Sequence, residues 1–323
     1  MSIESNTFWR IESLDAVSFV KITKGHIENV FNRAEFSELN LDKVDEVLYL
    51  IIYRDKSPRF AVTFGRRGES VSCPFSAPFG YLETLKSNLG VGEYEMAAGV
   101  LDTYLSTIGI KKATMGLPPE FYNPRTVNTL LNVLSGSGWR PEWVDLNFAL
   151  PIQKLRGNYQ ALIHCNARKN LRIALKSELE LRHCDTLEEK IRAYQAIRMN
   201  REYKGYPLRM TQEQVLKTME DVDSDMYLVM CGEDDIAAAL VYRVTYRIVQ
   251  VVYWGDVPGY GEKRPINFLS FELLKLYAEL GFEYLDIGPS TELGIPNCGL
   301  CDFKDSIGCI RTAKFRMVRY YNE

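Results

Sequence analysis

Histidine is scarce in this chain of 323 residues: only His26, His164 and His183 occur, far apart in sequence. A structural zinc takes four ligands, usually two cysteine pairs or one pair plus histidines. Cys298-x-x-Cys301, with Cys309 beyond it, has no second pair, so free buried thiols are expected and no metal. Seven cysteines, an odd number in a chain this long, do not form the framework of a small secreted protein. Long apolar runs are missing too: none approaches the roughly 20 residues that cross a bilayer. Met1-Ser-Ile-Glu-Ser-Asn has neither the basic region nor the apolar stretch of a signal peptide. A surplus of one charge is also absent. The net charge of −3 exerts no global pull on nucleic acid or an anionic membrane, so a polyanion would need a local patch. A cytoplasmic protein with reduced thiols and no membrane partner is expected.

What is present is ordinary for a folded chain, with 46% hydrophobic and 25% charged residues. The length suggests two domains of about 150 residues each. In the first half, β-branched and aromatic runs predict strands at 47–53, 59–64 and 69–73. An amphipathic helix at 94–105, a strand at 110–115, a helix at 127–134 and a long strand at 139–150 follow. That order describes a mixed sheet with helices on its faces. Pro74-Phe-Ser-Ala-Pro-Phe-Gly80 interrupts it, and two readings stay open. Phe79 and Gly80 belong either to a hydrophobic plug on the sheet edge or to the aromatic wall of a ligand cleft.

Residues 151–158 form the boundary. The spacing then predicts one helix over 159–178 carrying Arg168, Lys169, Arg172 and Lys176 with no acid in that run. This is either a solvated face or a site for an anion such as phosphate. Further helices are expected at 187–203 and 210–220, the latter opened by a Thr211/Gln214 capping box, and antiparallel strands at 226–230, 236–244 and 247–254. The loop Gly255-Asp-Val-Pro-Gly-Tyr-Gly-Glu-Lys-Arg-Pro265 opens a helix over 266–280. Free backbone N–H groups, the helix dipole, Lys263 and Arg264 together favour a phosphate or pyrophosphate there. A strand then enters Tyr284-Leu-Asp-Ile-Gly-Pro-Ser290, followed by Gly299-Leu-Cys-Asp-Phe-Lys-Asp-Ser-Ile-Gly308. A lysine beside an aromatic, just past a core strand, is where an α/β protein tends to place ligand chemistry. Phe303 and Lys304 are therefore site candidates. Asp286 is either a proton acceptor or a structural hydrogen-bond partner. A last strand at 312–321 closes the chain. The two halves share an order of hairpin, loop, helix and strand, as an internal duplication would produce.

Element order and these motifs together resemble the GNAT-type acyl-CoA N-acyltransferase fold, duplicated as in the Fem family of aminoacyl/peptidyl transferases. Asn166-Ala-Arg-Lys-Asn-Leu-Arg-Ile-Ala-Leu-Lys176 looks like the basic helix opening the second Fem domain. The 266–280 helix with Tyr284-Leu-Asp-Ile-Gly288 looks like the penultimate helix and strand. Gly299 to Gly308 looks like the glycine-led Phe-Lys segment, and Pro74 to Gly80 like the aromatic-glycine loop of the first domain. The resemblance implies an α/β fold of mixed sheets in two tandem GNAT-like domains, 1–150 and 151–323. It implies direct attack of an amine on an activated acyl carbonyl, without a covalent enzyme intermediate. Acyl-CoA, such as acetyl-CoA, would be the donor, lying along Tyr253, Trp254, Lys263, Arg264 and Asn267. The acceptor would be a small anionic amine, phosphorylated or nucleotide-linked among the options, held by Arg168 and Arg172 with Phe79 and Gly80. Lys304 would stabilise developing negative charge, Phe303 would shape the pocket, and Asp286 would take the proton. Gly259-Tyr-Gly261 with Lys263 and Arg264 is a loose substitute for the GNAT glycine cradle. Two alternatives therefore stand beside this reading: an aminoacyl-tRNA-dependent transferase acting on a cell-wall precursor, and a degenerate GNAT pair that binds without catalysis.

Overall fold

The structure is a computed structural model and describes residues 8–321. The chain forms two compact units, one running to Asp145 and resuming at Ala313, the other from Leu146 to Thr312. The sequence reading assigned all of 151–323 to the second domain. Residues from Ala313 on instead belong to the first unit: 316–320 pair with its sheet, and Met317 is buried in that unit's core opposite Met115.

In the first unit, β1 (Trp9–Leu14), β2 (Glu46–Arg54) and β3 (Ser57–Arg67) are antiparallel neighbours. Before β2 come two helices, α1 (Ala16–Thr23) and α2 (Ala34–Glu38). β2 shows why the sheet is covered on both sides. Leu48, Leu50 and Ile52 enter one core, while the alternate Tyr49, Ile51 and Tyr53 enter another with Phe19 of α1. β4 (Ser70–Cys73) is antiparallel to β3, and a short β5 (Glu83–Thr84) also pairs with β3. α3 (Val91–Thr107) then crosses to β6 (Lys112–Gly116), which lies parallel to β4. α4 (Pro124–Gly136) leads into β7 (Arg140–Pro151), the strand in which the chain passes into the second unit.

The Pro74–Gly80 loop is a plug. Phe79 is only 1% exposed, and its ring meets Phe31 at 5.1 Å and Tyr122 at 4.6 Å, both edge-on. No ring face is left for a ligand. A Cβ at Gly80 would come within 3.0 Å of Asn32 Oδ1 and Cys73 Sγ, so this glycine permits a close approach of backbone to core. The expectation that Phe79 and Gly80 bind substrate is corrected accordingly.

Just beyond that loop a buried carboxyl makes a measurable prediction. Burial pushes Glu83 up to about 7, opposed by hydrogen bonds from Asn32 and Tyr81. The Asn32 Nδ2 bond to Glu83 Oε1 is 2.9 Å. The folded chain thus keeps a proton until about pH 7 that the unfolded chain releases near 4.5. Stability from this group is complete below the lower value and is lost as pH rises through the window, by up to about 3 kcal/mol. Thermal melts of Glu83→Gln should lie several degrees above wild type at pH 8, with that advantage gone at pH 4. A loss that is larger at pH 8 than at pH 4 would show that Glu83 stabilises the fold as a carboxylate.

The second unit begins within β7. Short α5 (Ile152–Leu155) and α6 (Tyr159–Leu162) precede α7 (Cys165–Leu175). The single helix expected over 159–178 is therefore broken. Ile163 and His164 are extended, and the His164 N–H donates to Ser306 O at 3.0 Å instead of joining a helical ladder. Next come β8 (Leu179–His183), α8 (Leu187–Lys204), α9 (Gln212–Asp221) and the antiparallel β9 (Ser224–Cys231), β10 (Asp234–Arg243) and β11 (Ile248–Asp256). α10 (Pro265–Glu279) crosses over to β12 (Tyr284–Pro289), which is parallel to β11 and antiparallel to β7. A small hairpin, β13 (Thr291–Glu292) and β14 (Ile295–Pro296), then α11 (Cys298–Ser306) and β15 (Ile310–Tyr320), complete the chain. α7 and α10 pack on one face of the sheet through Leu171, Leu269, Leu273 and Tyr277. Each unit thus repeats one motif: an antiparallel pair, a crossover helix, then a strand parallel to the second member of the pair.

Candidate ligand cleft in the second unit

β11 and β12 pair at only three positions, Ile248↔Tyr284, Val249↔Leu285 and Gln250↔Asp286. β11 then continues from Val251 to Asp256 without β12 alongside. On β12 the register against β7 shifts between Asp286 and Pro289, where Gly288 takes φ +71°, a conformation that suits glycine. The two strands part, and α11 lies at the opening.

Asp286 and Lys304 hold the parting in place. Asp286 is fully buried; Oδ1 accepts from Asn147 Nδ2 at 2.8 Å and from the Gly288 N–H at 2.9 Å, and Oδ2 from Gln250 Nε2 at 2.9 Å. Lys304, on α11, reaches back and donates from Nζ to the carbonyls of Ile287 (2.8 Å), Gly288 (2.8 Å) and Pro289 (3.1 Å). An ammonium has three N–H donors, and all three are engaged. Burial pushes this ammonium down to about 8, and the Asp286 carboxylate is among the neighbours opposing the shift. Lys304 therefore has no donor left for an oxyanion, and Asp286 has both oxygens occupied. The expected roles in charge stabilisation and proton acceptance are corrected to positioning ones: these residues fix the β-bulge that separates the strands.

A cleft of about 580 Å³ opens at this point. The last turn of α8 contributes Asn200, Arg201 and Lys204, and the end of β11 contributes Trp254, Gly255 and Asp256. The start of α10 adds Arg264, Ile266 and Asn267, and the start of α11 adds Asn297, Gly299, Leu300 and Phe303. α8 packs tightly here, since a Cβ on Gly255 would lie 2.5 Å from Asn200. Asn200 Nδ2 donates to Asp256 O at 2.8 Å and to Asp256 Oδ1 at 2.9 Å, and Lys204 Nζ reaches the same Oδ1 at 3.1 Å. Phe303 and Trp254 meet edge-on, 6.5 Å between centroids. Asn297 caps α11 by accepting from the Leu300 N–H at 3.0 Å, and donates from Nδ2 to Tyr206 Oη at 3.2 Å.

Arg201 is the unusual group. Its guanidinium lies over the Tyr253 ring at 5.4 Å and near the Tyr206 ring at 6.0 Å. Its Nε is buried without a hydrogen-bond partner, as are those of Arg59, Arg168, Arg316 and Arg319, but Arg201 lines the cleft, and burial pushes its pKa down. Its ordinary counter-ion would be a carboxylate; among the described residues no ion pair includes it, whereas Lys204 beside it has Asp256. A partly desolvated guanidinium without an ion pair in a cleft wall can receive an anion.

The sequence reading and the site overlap in part. Trp254, Arg264, Asn267 and Phe303 line the cleft together. Tyr253 points instead against Arg201, and Lys263 sits in a short turn at Gly261–Lys263 outside the lining. Arg168 folds back, donating from Nη2 to Ala161 O at 3.3 Å and Ile163 O at 3.1 Å, which secures the corner between α6 and α7. Arg172 is exposed, and α7 reaches the cleft through Asn170. Of the two readings of the basic helix, the geometry favours a solvated face with one structural arginine. Arg201, Asp256, Asn200 and Asn297 were missed. Arg201 lies in a helix dense with charges of both signs, and no spacing sets it apart.

No protein-family model matches the sequence, and no curated protein matches it. Solved structures match by shape. FemX superposes with a TM-score of 0.70 at 11% identity, covering 97% of this chain and 98% of its own. The C-terminal domain of a putative lysylphosphatidylglycerol synthetase from Agrobacterium fabrum gives 0.59 at 10%, with 95% and 93% covered. A tandem GNAT protein from the clavulanic acid biosynthesis pathway gives 0.52 at 7%, with 98% and 99% covered. At such identities the likeness establishes the fold. It is the mixed α/β GNAT fold in tandem, as in Fem-like two-domain proteins.

Proposed function

We propose that this protein is an N-acyltransferase that moves an acyl group from acyl-CoA to the amine of a small anionic acceptor in the cleft of the second unit. The observation that carries the reading is Arg201, a half-buried guanidinium with no ion pair among the described residues, beside two parted parallel strands. The acceptor's carboxylate or phosphate would complete it. The donor would lie across Trp254 and Asn267, with its phosphates toward Lys263, Arg264 and the first turn of α10. The amine attacks the thioester carbonyl, a C–N bond forms, the C–S bond breaks, and coenzyme A leaves as the thiol. Peptide N–H groups on the stretch of β11 beyond Gln250, where the β12 ladder has ended, would receive the carbonyl oxygen. Asp256 is the one carboxylate lining the cleft and would take the amine proton, directly or through water. Asp286 and Lys304 act as positioning residues.

One observation favours a second reading with the same fold. α10 is entered through a tight turn and a left-handed Arg264 (φ +57°), so its N-terminus has no run of glycines to cradle a pyrophosphate. A donor without that group, the aminoacyl ester of a tRNA serving a cell-wall precursor, fits this feature. Incubation with labelled acetyl-CoA and small phosphorylated amines such as glucosamine 6-phosphate, and separately with charged tRNA, separates the two. Release of free thiol with label in the amine product supports the first; transfer from tRNA alone supports the second. Transfer from neither would leave a binding protein built on the same fold.

A further inference from the structure

We propose that Cys298 and Cys301 form a redox-active dithiol in the first turn of α11, closed to an intrahelical disulfide by a low-molecular-weight disulfide such as oxidised glutathione. The argument is geometric. Both residues lie within one helix, three apart, so a rise of about 1.5 Å per residue on a radius of about 2.3 Å puts their Cα atoms about 5 Å apart. A disulfide needs roughly 4.4–6.8 Å between Cα atoms. The Asn297 cap on the Leu300 N–H holds that turn at the required Cα spacing, and closing the bridge then draws the Cβ atoms, about 5–6 Å apart on a helix, to the roughly 3.5–4.5 Å that a disulfide needs. The two thiols also differ as an attacking and a resolving thiol should. Cys298 is exposed, while Cys301 is buried with its Sγ 3.8 Å from Ser290 O, a weak contact that it can give up. Cys73, Cys184 and Cys309 stand apart from this chemistry, because burial pushes each of those thiols up and keeps it protonated.

The steps balance as ordinary thiol–disulfide exchange. Cys298 as thiolate attacks one sulfur of the oxidised glutathione, giving a mixed disulfide and one glutathione thiolate. Cys301 as thiolate then attacks the Cys298 sulfur, giving the intrahelical bond and the second glutathione thiolate. The dithiol is oxidised by two electrons and the small disulfide is reduced to two thiols. Gly299 and Leu300, enclosed by the pair, line the cleft, so the bridge forms in the helical turn that presents them to it. This inference goes beyond the transferase reading and does not depend on it.

The test uses the full chain incubated with oxidised glutathione, digested under acid quench and read by mass spectrometry. The peptide spanning Cys298 and Cys301 is expected to lose two hydrogens and to carry no glutathione, and dithiothreitol should restore it. Cys165 provides an internal control: it is exposed on α7, a helix with no second cysteine, and should retain a glutathione adduct. Cys301→Ser should trap the adduct on Cys298. A wild-type peptide that keeps glutathione on Cys298, remains unmodified, or is bridged to a third cysteine would overturn the proposal, and that arm requires no variant to fold.

Discussion

Arg201→Met is expected to raise the KM for an anionic amine acceptor about 10- to 100-fold while the protein melts no earlier than wild type. A hydrogen bond to a charged group contributes about 1.5–3 kcal/mol, and each 1.4 kcal/mol is about a factor of ten in affinity. That sets the functional side. On the stability side, the guanidinium is desolvated, its Nε has no partner, and no carboxylate offsets the burial. Replacing such a charge with an apolar chain of similar length removes a cost. Against this stand the contacts with Tyr253 and Tyr206 at 5.4 and 6.0 Å, each about 0.5–1 kcal/mol where exposed and about 2 kcal/mol where desolvated. The two effects are of similar size, so the melting temperature should hold or rise slightly. Arg201→Lys should recover part of the affinity, since it restores charge without the planar fork. The combination is diagnostic: a variant with lower stability and unchanged KM would make Arg201 a structural residue.

The same contrast explains what could be read from the sequence. β2 was legible because its alternating residues enter two cores, which leaves a run apolar at every position. The crossover β11–α10–β12 was legible because a helix opened by Pro265 separates two strand-like runs. Trp254 and Phe303 were found because aromatics next to glycine turns stand out locally. Arg201 was not, because its distinguishing property is an absent counter-ion, and absence appears only when the surrounding helix, strand and loop are in place. Lys304 failed in the opposite way. Its neighbourhood looked like a ligand site, but its three donors meet carbonyls of a strand 15 to 17 residues earlier in the chain. The break at Ile163 was hidden because a buried apolar residue continues a helical pattern whether or not its backbone is helical. For Pro74–Gly80, composition supports a plug and a cleft wall equally; only the packing of Phe79 between Phe31 and Tyr122 separates them.

Lys304→Met should destabilise the second unit by about 3–5 kcal/mol, because each buried carbonyl left without its donor costs about 1–3 kcal/mol, which lowers Tm by roughly 10 °C for a unit of this size. Methionine fills nearly the same volume, so a cavity is not the cause. The loss comes from three carbonyls, on Ile287, Gly288 and Pro289, left without their donor, and from Asp286 left buried with its opposing charge removed. Asp286→Asn in the Lys304→Met background should therefore cost less than Asp286→Asn alone, and the double-mutant cycle measures that coupling. The pH dependence has a definite sign. In the folded chain Lys304 loses its proton near 8, in the unfolded chain near 10.5. Between these values the unfolded state binds more protons, so this group's contribution to stability rises with pH. Tyrosine ionisation affects wild type and variant alike and cancels in their difference. The gap in Tm between wild type and Lys304→Met should thus widen from pH 8 to pH 10. Because the bulge shapes the cleft without touching the acyl group, activity per folded molecule should fall mainly through kcat as the two strands lose their fixed separation. A variant that melts with wild type at every pH would remove Lys304 from the account of how the strands are held apart.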